Sequence, residues 1–147
     1  MDSVKIENEK KKEYLREYRA HVRRIDRINT EIAELRSMRC SVSLNSDGMP
    51  HGSGASDLSG YVAELDRLER ELISERHYRV KCYQQIVKSI KNLKSENESD
   101  VLFYRYIAGL DWWEIAEKLH YSERWIHKIH GKALAHFEIP KEFIEVQ

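Results

Sequence analysis

No glycine or proline occurs between Val4 and Arg39, and a chain that lacks both residues over such a length favours one long helix. Apolar side chains recur there at intervals of three and four, as they do along one face of an α-helix. These residues are Leu15, Tyr18, Val22, Ile25, Ile28, Ile32 and Leu35. The residues before them are polar, and we expect the first one or two turns to fray. The segment therefore predicts an amphipathic helix whose apolar face needs a partner.

Residues 41–57 differ in composition, with three glycines, one proline and five serines, which predicts a flexible loop. A second long helix is predicted from Leu58 to Lys94, capped by Ser56 or Asp57. Its apolar stripe comprises Leu58, Tyr61 or Val62, Leu65, Leu68, Leu72 and Ile73, then Cys82, Ile86, Ile90 and Leu93. Two such helices predict a long antiparallel, coiled-coil-like hairpin over residues 1–94. Because a lone hairpin buries little apolar surface, we expect it to form a homodimer.

Residues 95–147 predict an all-α domain of shorter helices. One helix is expected from Asp100 to Ala108, capped by Ser99 or Asn97 and ended by Gly109. The next two have apolar faces made by Trp112, Ile115, Ala116 and Leu119, and by Ile126, Ile129, Ala133 and Phe137. Asp111 and Ser122 are suited to cap them, and Pro140 is expected to end the last one. Two short helices, a turn of about four residues and a small residue at the crossing predict a helix-turn-helix.

Several motifs in this domain resemble a known family. They are Glu114-Ile115-Ala116, Tyr121-Ser122, and the series Ile126, Ile129, Lys132, Ala133 and Leu134. In this arrangement they resemble region 4 of bacterial sigma factors, a module that reads promoter DNA. A longer match, from about Leu15 to Phe137, is similar to phage sigma-region-4-like regulators, whose relatives include late-gene activators of the RinA/ArpU type. It adds Gly48-Met49-Pro50, Tyr104-Arg105-Tyr106-Ile107 and Trp112.

The resemblance implies a phage or prophage DNA-binding transcriptional regulator, with double-stranded DNA and bacterial RNA polymerase as partners. In a helix-turn-helix the second helix lies in the major groove, and its exposed N-terminal residues meet base edges. Here these residues are Glu123, Arg124, His127 and Lys128. Arg124 can bond guanine with two N–H groups, and Lys128 can reach a guanine or a phosphate. The resemblance implies that Ser122 lies near a phosphate, and Lys132 and His130 are expected nearer the DNA backbone.

The tryptophans divide by their position in the helical pattern. Trp112 is in phase with Ile115 and Leu119, so we expect it in the core. Trp113 and Trp125 are out of phase with the apolar faces of their helices. Exposed tryptophans often contribute to protein contacts, so the two residues together predict a partner-binding patch. Packing of Trp113 against the hairpin remains the alternative.

The distribution of charge supports two other functions. The formal net charge is zero, and residues 98–147 carry six Lys and Arg against nine Asp and Glu, which counts against DNA binding by that segment. One alternative is therefore a protein-interaction module that binds RNA polymerase without reading DNA. Another is a recognition subunit of a DNA-packaging machine, since such subunits also join a helix-turn-helix to long helices. The segment from Ser122 to Phe137 nevertheless has three basic residues against Glu123 alone.

Other classes of protein find little support. His127 and His130 are three residues apart, but no neighbouring cysteine or second histidine pair completes a metal site. No nucleotide-binding or catalytic motif is present, so we expect neither enzymatic activity nor a cofactor. Cys40 and Cys82 are expected to be reduced thiols. With no apolar run long enough to cross a bilayer and no signal-peptide pattern, the protein is expected in the cytoplasm of a bacterial host.

Overall fold

The structure, a computed structural model, describes residues 2–45 and 54–141. These residues form α-helices and one π-helical segment without any β-strand, so the fold is all-α, as the sequence predicts. The elements are α1 (Asp2–Asn45), α2 (Gly54–Lys91), α3 (Glu96–Leu102), the π-helical segment Phe103–Ile107, α4 (Trp112–Leu119) and α5 (Glu123–His136). Among these helices, none combines the length and the apolar character that crossing a membrane requires.

The long helices differ from their predicted bounds, in that both extend into the predicted loop while α2 ends at Lys91 instead of Lys94. Residues 41–45 belong to α1 and residues 54–57 to α2, so the loop predicted over residues 41–57 is wrong at both of its ends. The remainder of that loop, including Gly48-Met49-Pro50, lies outside the described residues. Serine and asparagine are weak helix formers but do not stop a helix. A loop predicted from composition alone is therefore longer than the observed gap between the helices.

The predicted boundaries of the C-terminal helices also need correction. The helix expected to start at Asp100 starts at Glu96, because the Ser95 hydroxyl accepts a hydrogen bond from the Glu98 backbone N–H at 3.5 Å. Its continuation is π-helical, with the Ala108 N–H bonded to the Phe103 carbonyl at 3.0 Å. The last helix ends at His136 instead of continuing to Pro140.

The chain divides into two compact units. We call His21–Tyr78 the central unit, and Met1–Ala20 together with Arg79–Gln147 the terminal unit. The first twenty residues thus group with the C-terminal helices, although the sequence suggested a boundary between residues 94 and 95. Each unit has a core of its own.

The core of the central unit is made by the apolar stripes of α1 and α2. It contains Ile25, Ile28, Ile32, Leu68 and Leu72, with Leu35 and Leu65 packed against them. At the edge of this core the His21 Nδ1 lies 2.7 Å from the Glu75 carboxylate. Two expected members of the α2 stripe, Leu58 and Ile73, are instead exposed, because the side of α2 that faces α1 is taken by residues such as Leu68 and Leu72.

The core of the terminal unit joins the first helix to the last. Its fully buried side chains include Leu15, Ile86, Val101, Leu102, Ile115, Ile126 and Phe137. The Tyr14 ring packs beside the Phe137 ring, with centroids 6.0 Å apart. The polar start of the chain, where the sequence predicts fraying, is helical from Asp2, and the Lys11 side chain is buried near α5.

Candidate nucleic-acid interface

Local sequence signals fix the positions of α4 and α5. Asp111 is the N-cap of α4, and its backbone N–H donates to the Glu114 carboxylate at 3.0 Å. Three residues connect the helices, beginning with His120 in a left-handed conformation at φ 62°. Ser122 then caps α5, because its hydroxyl accepts a hydrogen bond from the Trp125 N–H at 3.2 Å. The caps predicted at Asp111 and Ser122 are therefore confirmed.

The buried sides of these helices determine which side of α5 is free. Ile115 and Ala116 of α4 share one apolar cluster with Val101 of α3 and with Ile126 and Ile129 of α5. Ala116 is only 6% exposed, which agrees with the expectation of a small residue at a close helix contact. Because α5 contacts both α3 and α4 through this cluster, its opposite side faces solvent.

The exposed side of α5 carries all six residues that the sequence assigned to DNA contact. Ser122, Glu123, Arg124, His127, Lys128 and Lys132 are each exposed. Arg124, Lys128 and Lys132 are spaced by four, so they form one basic stripe along the helix. Gly131 lies on the same side, and a Cβ atom added there would meet nothing within 4 Å. The helix thus presents a basic surface that another molecule can approach closely at Gly131.

Trp125 lies within this basic surface. Its side chain is 42% exposed, and the Lys128 and Lys132 ammonium nitrogens lie 5.9 and 5.7 Å from its ring centroid. Both distances fall within the range of a cation–π contact. Because the two lysines lie on the same indole ring, their charges are concentrated at one place on α5. We call Arg124, Trp125, Lys128 and Lys132 the basic face.

The His127 ring packs against the Trp112 ring. The two ring centroids are 4.5 Å apart, and the Arg105 guanidinium carbon lies 4.3 Å from the Trp112 centroid. Arg105 is in turn fixed by a hydrogen bond to the Leu110 carbonyl at 3.1 Å. Trp112 packs against the core as predicted, but it is only partly buried, since its ring supports His127 near the surface. Sequence reasoning missed Arg105, because nothing in the helical pattern links it to Trp112.

His130 does not lie near the surface, and the expectation that it approaches the DNA backbone is wrong. It is 8% exposed, and its Nε2 lies 2.7 Å from the Tyr106 hydroxyl. Position 130 falls on the inner side of α5 beside Ile129 and Ala133. Burial, and to a lesser extent nearby positive charges led by Lys12, lower the pKa of His130 from 6.5 to about 4. Burial also raises the pKa of Tyr106 to about 12, so a protonated hydroxyl and a neutral imidazole share this hydrogen bond.

Trp113 lies on α4, outside the basic face, and is 57% exposed. Its exposure agrees with its phase in the sequence, whereas the alternative of burial against the long helices is not observed. Trp125, the other tryptophan of the predicted patch, contacts Lys128 and Lys132. Within the described residues, no group of three or more His, Cys, Asp or Glu side chains is arranged to hold a metal ion.

No known protein family, curated protein or solved structure matches this chain. The function therefore has to follow from the residues of the site itself. The chemistry available there consists of positive charge, a hydroxyl at a helix N-terminus and hydrogen-bond donors on one exposed helix face, all of which suit an anionic partner.

Proposed function

We propose that this protein is a phage or prophage DNA-binding transcriptional regulator that resembles sigma factor region 4. In this proposal α4 and α5 are a helix-turn-helix, α5 enters the major groove, and residues 1–94 form the antiparallel hairpin. The observation that carries the proposal is the basic face, with Arg124, Lys128 and Lys132 exposed on one side of a capped, well-packed helix. A helix with this pattern suits the major groove, where phosphates flank the base edges.

The residues of the site divide into two roles. Lys128, Lys132 and the Ser122 hydroxyl suit phosphate oxygens, and such contacts position a protein on DNA without reading sequence. Arg124 and His127 suit base edges, with Arg124 matched to the two acceptors of guanine. Glu123 can accept a hydrogen bond from a cytosine amino group. The close contact between Trp112 and His127 supports the second role, because a ring packed against a neighbouring side chain discriminates better than a mobile one.

Selection of bound DNA from a random pool, with RNA polymerase absent, tests the proposal. We expect an enriched motif that contains at least one guanine contacted through Arg124. As a control, the Arg124→Ala variant goes through the same selection and should lose preference at that position. If the parent protein enriches no motif, the proposal that it reads DNA sequence is wrong.

A protein-interaction module that binds RNA polymerase without reading DNA is the second candidate. It is favoured by Trp113, which is 57% exposed on α4 and is not part of the basic face. A large exposed aromatic ring suits the centre of a protein contact. Capture of polymerase by a tagged parent protein, repeated with Trp113→Ala, tests this candidate. Both functions can occur in one regulator, with DNA on α5 and polymerase at Trp113, in the cytoplasm of a bacterial host.

A further inference from the structure

Exposed apolar side chains lie along one side of α2 in the central unit. Leu58, Val62 and Ile73 are 49%, 54% and 67% exposed. The partly exposed Leu65 and the charged residues Glu69 and Arg76 lie on the same side of the helix. From Leu58 to Arg76 these six residues are spaced by four, three, four, four and three positions, which places them in a single stripe. We call this set the outer stripe, and its members are Leu58, Val62, Leu65, Glu69, Ile73 and Arg76.

The outer stripe makes the apolar surface of α2 wider than one neighbouring helix covers. α1 covers the adjacent inner positions, where Leu68 and Leu72 are 2% and 8% exposed. A helix that contacts one partner needs only a narrow apolar seam, whereas a wider stripe is typical of helices that pack against two or more. In the part of the chain that the structure describes, Leu58, Val62 and Ile73 remain uncovered. The width of this surface indicates a second neighbour for α2.

The two charged residues of the outer stripe indicate which partner fits the stripe and in which orientation its helix lies. Glu69 lies four residues before Ile73, and Arg76 lies three residues after it. If two copies of α2 packed in parallel, Glu69 would lie beside Glu69 and Arg76 beside Arg76, which is unfavourable. If they packed antiparallel about a two-fold axis between Leu72 and Ile73, each Glu69 would face the Arg76 of the other copy. The stripe is thus complementary to itself in one orientation, as an interface between identical subunits must be.

The existing contact of Glu69 does not oppose this arrangement. Its carboxylate lies 3.4 Å from an Arg36 nitrogen, and both side chains are about half exposed. Exposed pairs of this kind contribute little free energy. A carboxylate has lone pairs for several donors, so Glu69 can keep Arg36 and accept Arg76 from a second copy.

We propose that the outer stripe is a self-association surface on which a second copy of this chain docks, with the two α2 helices antiparallel and Ile73 beside the two-fold axis. The proposal goes beyond DNA reading and does not depend on it, since no residue of the basic face takes part. The exposed apolar side chains of each copy then pack against α2 of the other, where Val80 and Tyr83 are also exposed. The Glu69–Arg76 pairs fix the register, because a shifted helix would bury unpaired charges.

Sedimentation of the full chain without DNA, between about 1 and 100 μM, tests the proposal. We expect the parent to form dimers in this range. Ile73→Glu should raise the dissociation constant about 100-fold or more, because it buries a carboxylate beside the axis. The matched control is Ile6→Glu, since Ile6 is 58% exposed but lies in the terminal unit on α1. A parent that stays monomeric throughout, or an Ile73→Glu variant that dimerises like the parent, would overturn the proposal.

A charge exchange tests the orientation and leaves every apolar residue in place. Glu69→Arg and Arg76→Glu should each weaken dimerisation about tenfold or more, because like charges then face each other twice. The double variant restores opposite charges only in the antiparallel pair, so its dissociation constant should return to within about threefold of the parent value. If the double variant is as weak as the single ones, the antiparallel proposal is wrong. Circular dichroism confirms that all variants keep their helicity.

Discussion

The Lys11 ammonium donates a hydrogen bond to the backbone carbonyl oxygen of Leu134, with 2.8 Å between the nitrogen and the oxygen. Leu134 lies in the last turn of α5, where backbone carbonyls have no partner within the helix. Lys11 is only 8% exposed, so its aliphatic carbons pack in the terminal unit while its charge satisfies this carbonyl. A positive charge is also favourable at the C-terminal end of a helix. The contact therefore ties the end of the proposed recognition helix to α1.

Removing this donor should destabilise the terminal unit. Lys11→Met keeps an unbranched apolar side chain but leaves the Leu134 carbonyl without its partner. We expect the free energy of unfolding to fall by about 1–3 kcal/mol, measured by urea denaturation. Lys10→Met is the matched control, because Lys10 is exposed, and it should change stability by less than about 0.5 kcal/mol. Equal stabilities for the two variants would show that the hydrogen bond contributes nothing.

Acid should destabilise the protein through His130. Its pKa is about 4 in the folded protein and 6.5 as an ordinary histidine, so the unfolded chain binds the extra proton first as pH falls. The contribution of neutral His130 is complete above pH 6.5 and is lost progressively toward pH 4. At pH 4 this loss reaches about 3 kcal/mol, given 1.36 kcal/mol per pKa unit.

His130→Leu provides the comparison, measured by urea denaturation at several pH values. Carboxylates titrate in both proteins, so the difference between the two pH profiles isolates the histidine. We expect the variant to lose less stability than the parent between pH 6.5 and 4, even if it is less stable at neutral pH because the Tyr106 hydroxyl has lost its hydrogen-bond partner. Parallel profiles would contradict the assignment of this pH dependence to His130.

The sequence predicted those features that depend on neighbours a few residues away. The caps at Asp111 and Ser122 are hydrogen bonds within one helical turn, so the residue types alone identify them. Gly109 ends the preceding helix with φ 73°, the left-handed conformation expected of a glycine in that position. The inner positions of α5 follow the same logic, since burial of Ile126 and Ile129 comes directly from the helical period.

What the sequence could not predict depends on partners distant in the chain. Lys11 appeared to belong to a polar, fraying end, but its partner Leu134 is 123 positions away. His130 appeared to be a surface residue, because a histidine at an inner position has no visible partner until Tyr106 is brought beside it by the fold. A buried polar side chain needs such a partner, and only tertiary packing supplies it.

Two substitutions on the basic face should have different effects on DNA binding. Arg124→Ala should weaken binding to the preferred site by about 1–3 kcal/mol and relax base preference, because an arginine bonded to guanine specifies sequence. Lys128→Ala should weaken binding to all sequences alike and reduce the salt slope by about one, as expected for one lost phosphate contact. Titrations across a range of salt concentrations measure both effects.

The matched control for these substitutions is Lys81→Ala, which removes an exposed lysine from α2, away from the basic face. It should leave the affinity at the preferred site and the salt slope close to the parent values. A reduction of equal size for Lys81→Ala would mean that binding reflects general positive charge. If Arg124→Ala binds the preferred site as tightly as the parent, Arg124 does not read DNA.

The two exposed tryptophans should separate the two candidate functions. Trp125 supports the Lys128 and Lys132 ammonium groups, so Trp125→Ala should lower DNA affinity by about 0.5–1 kcal/mol per lost cation–π contact. Trp113 contacts neither lysine, so Trp113→Ala should leave DNA affinity unchanged but impair polymerase capture. Each variant therefore serves as the control for the other in a DNA titration and a polymerase pull-down. If Trp113→Ala abolishes capture while Trp125→Ala and Arg124→Ala leave DNA binding intact, the protein-interaction module accounts for the function and DNA reading does not.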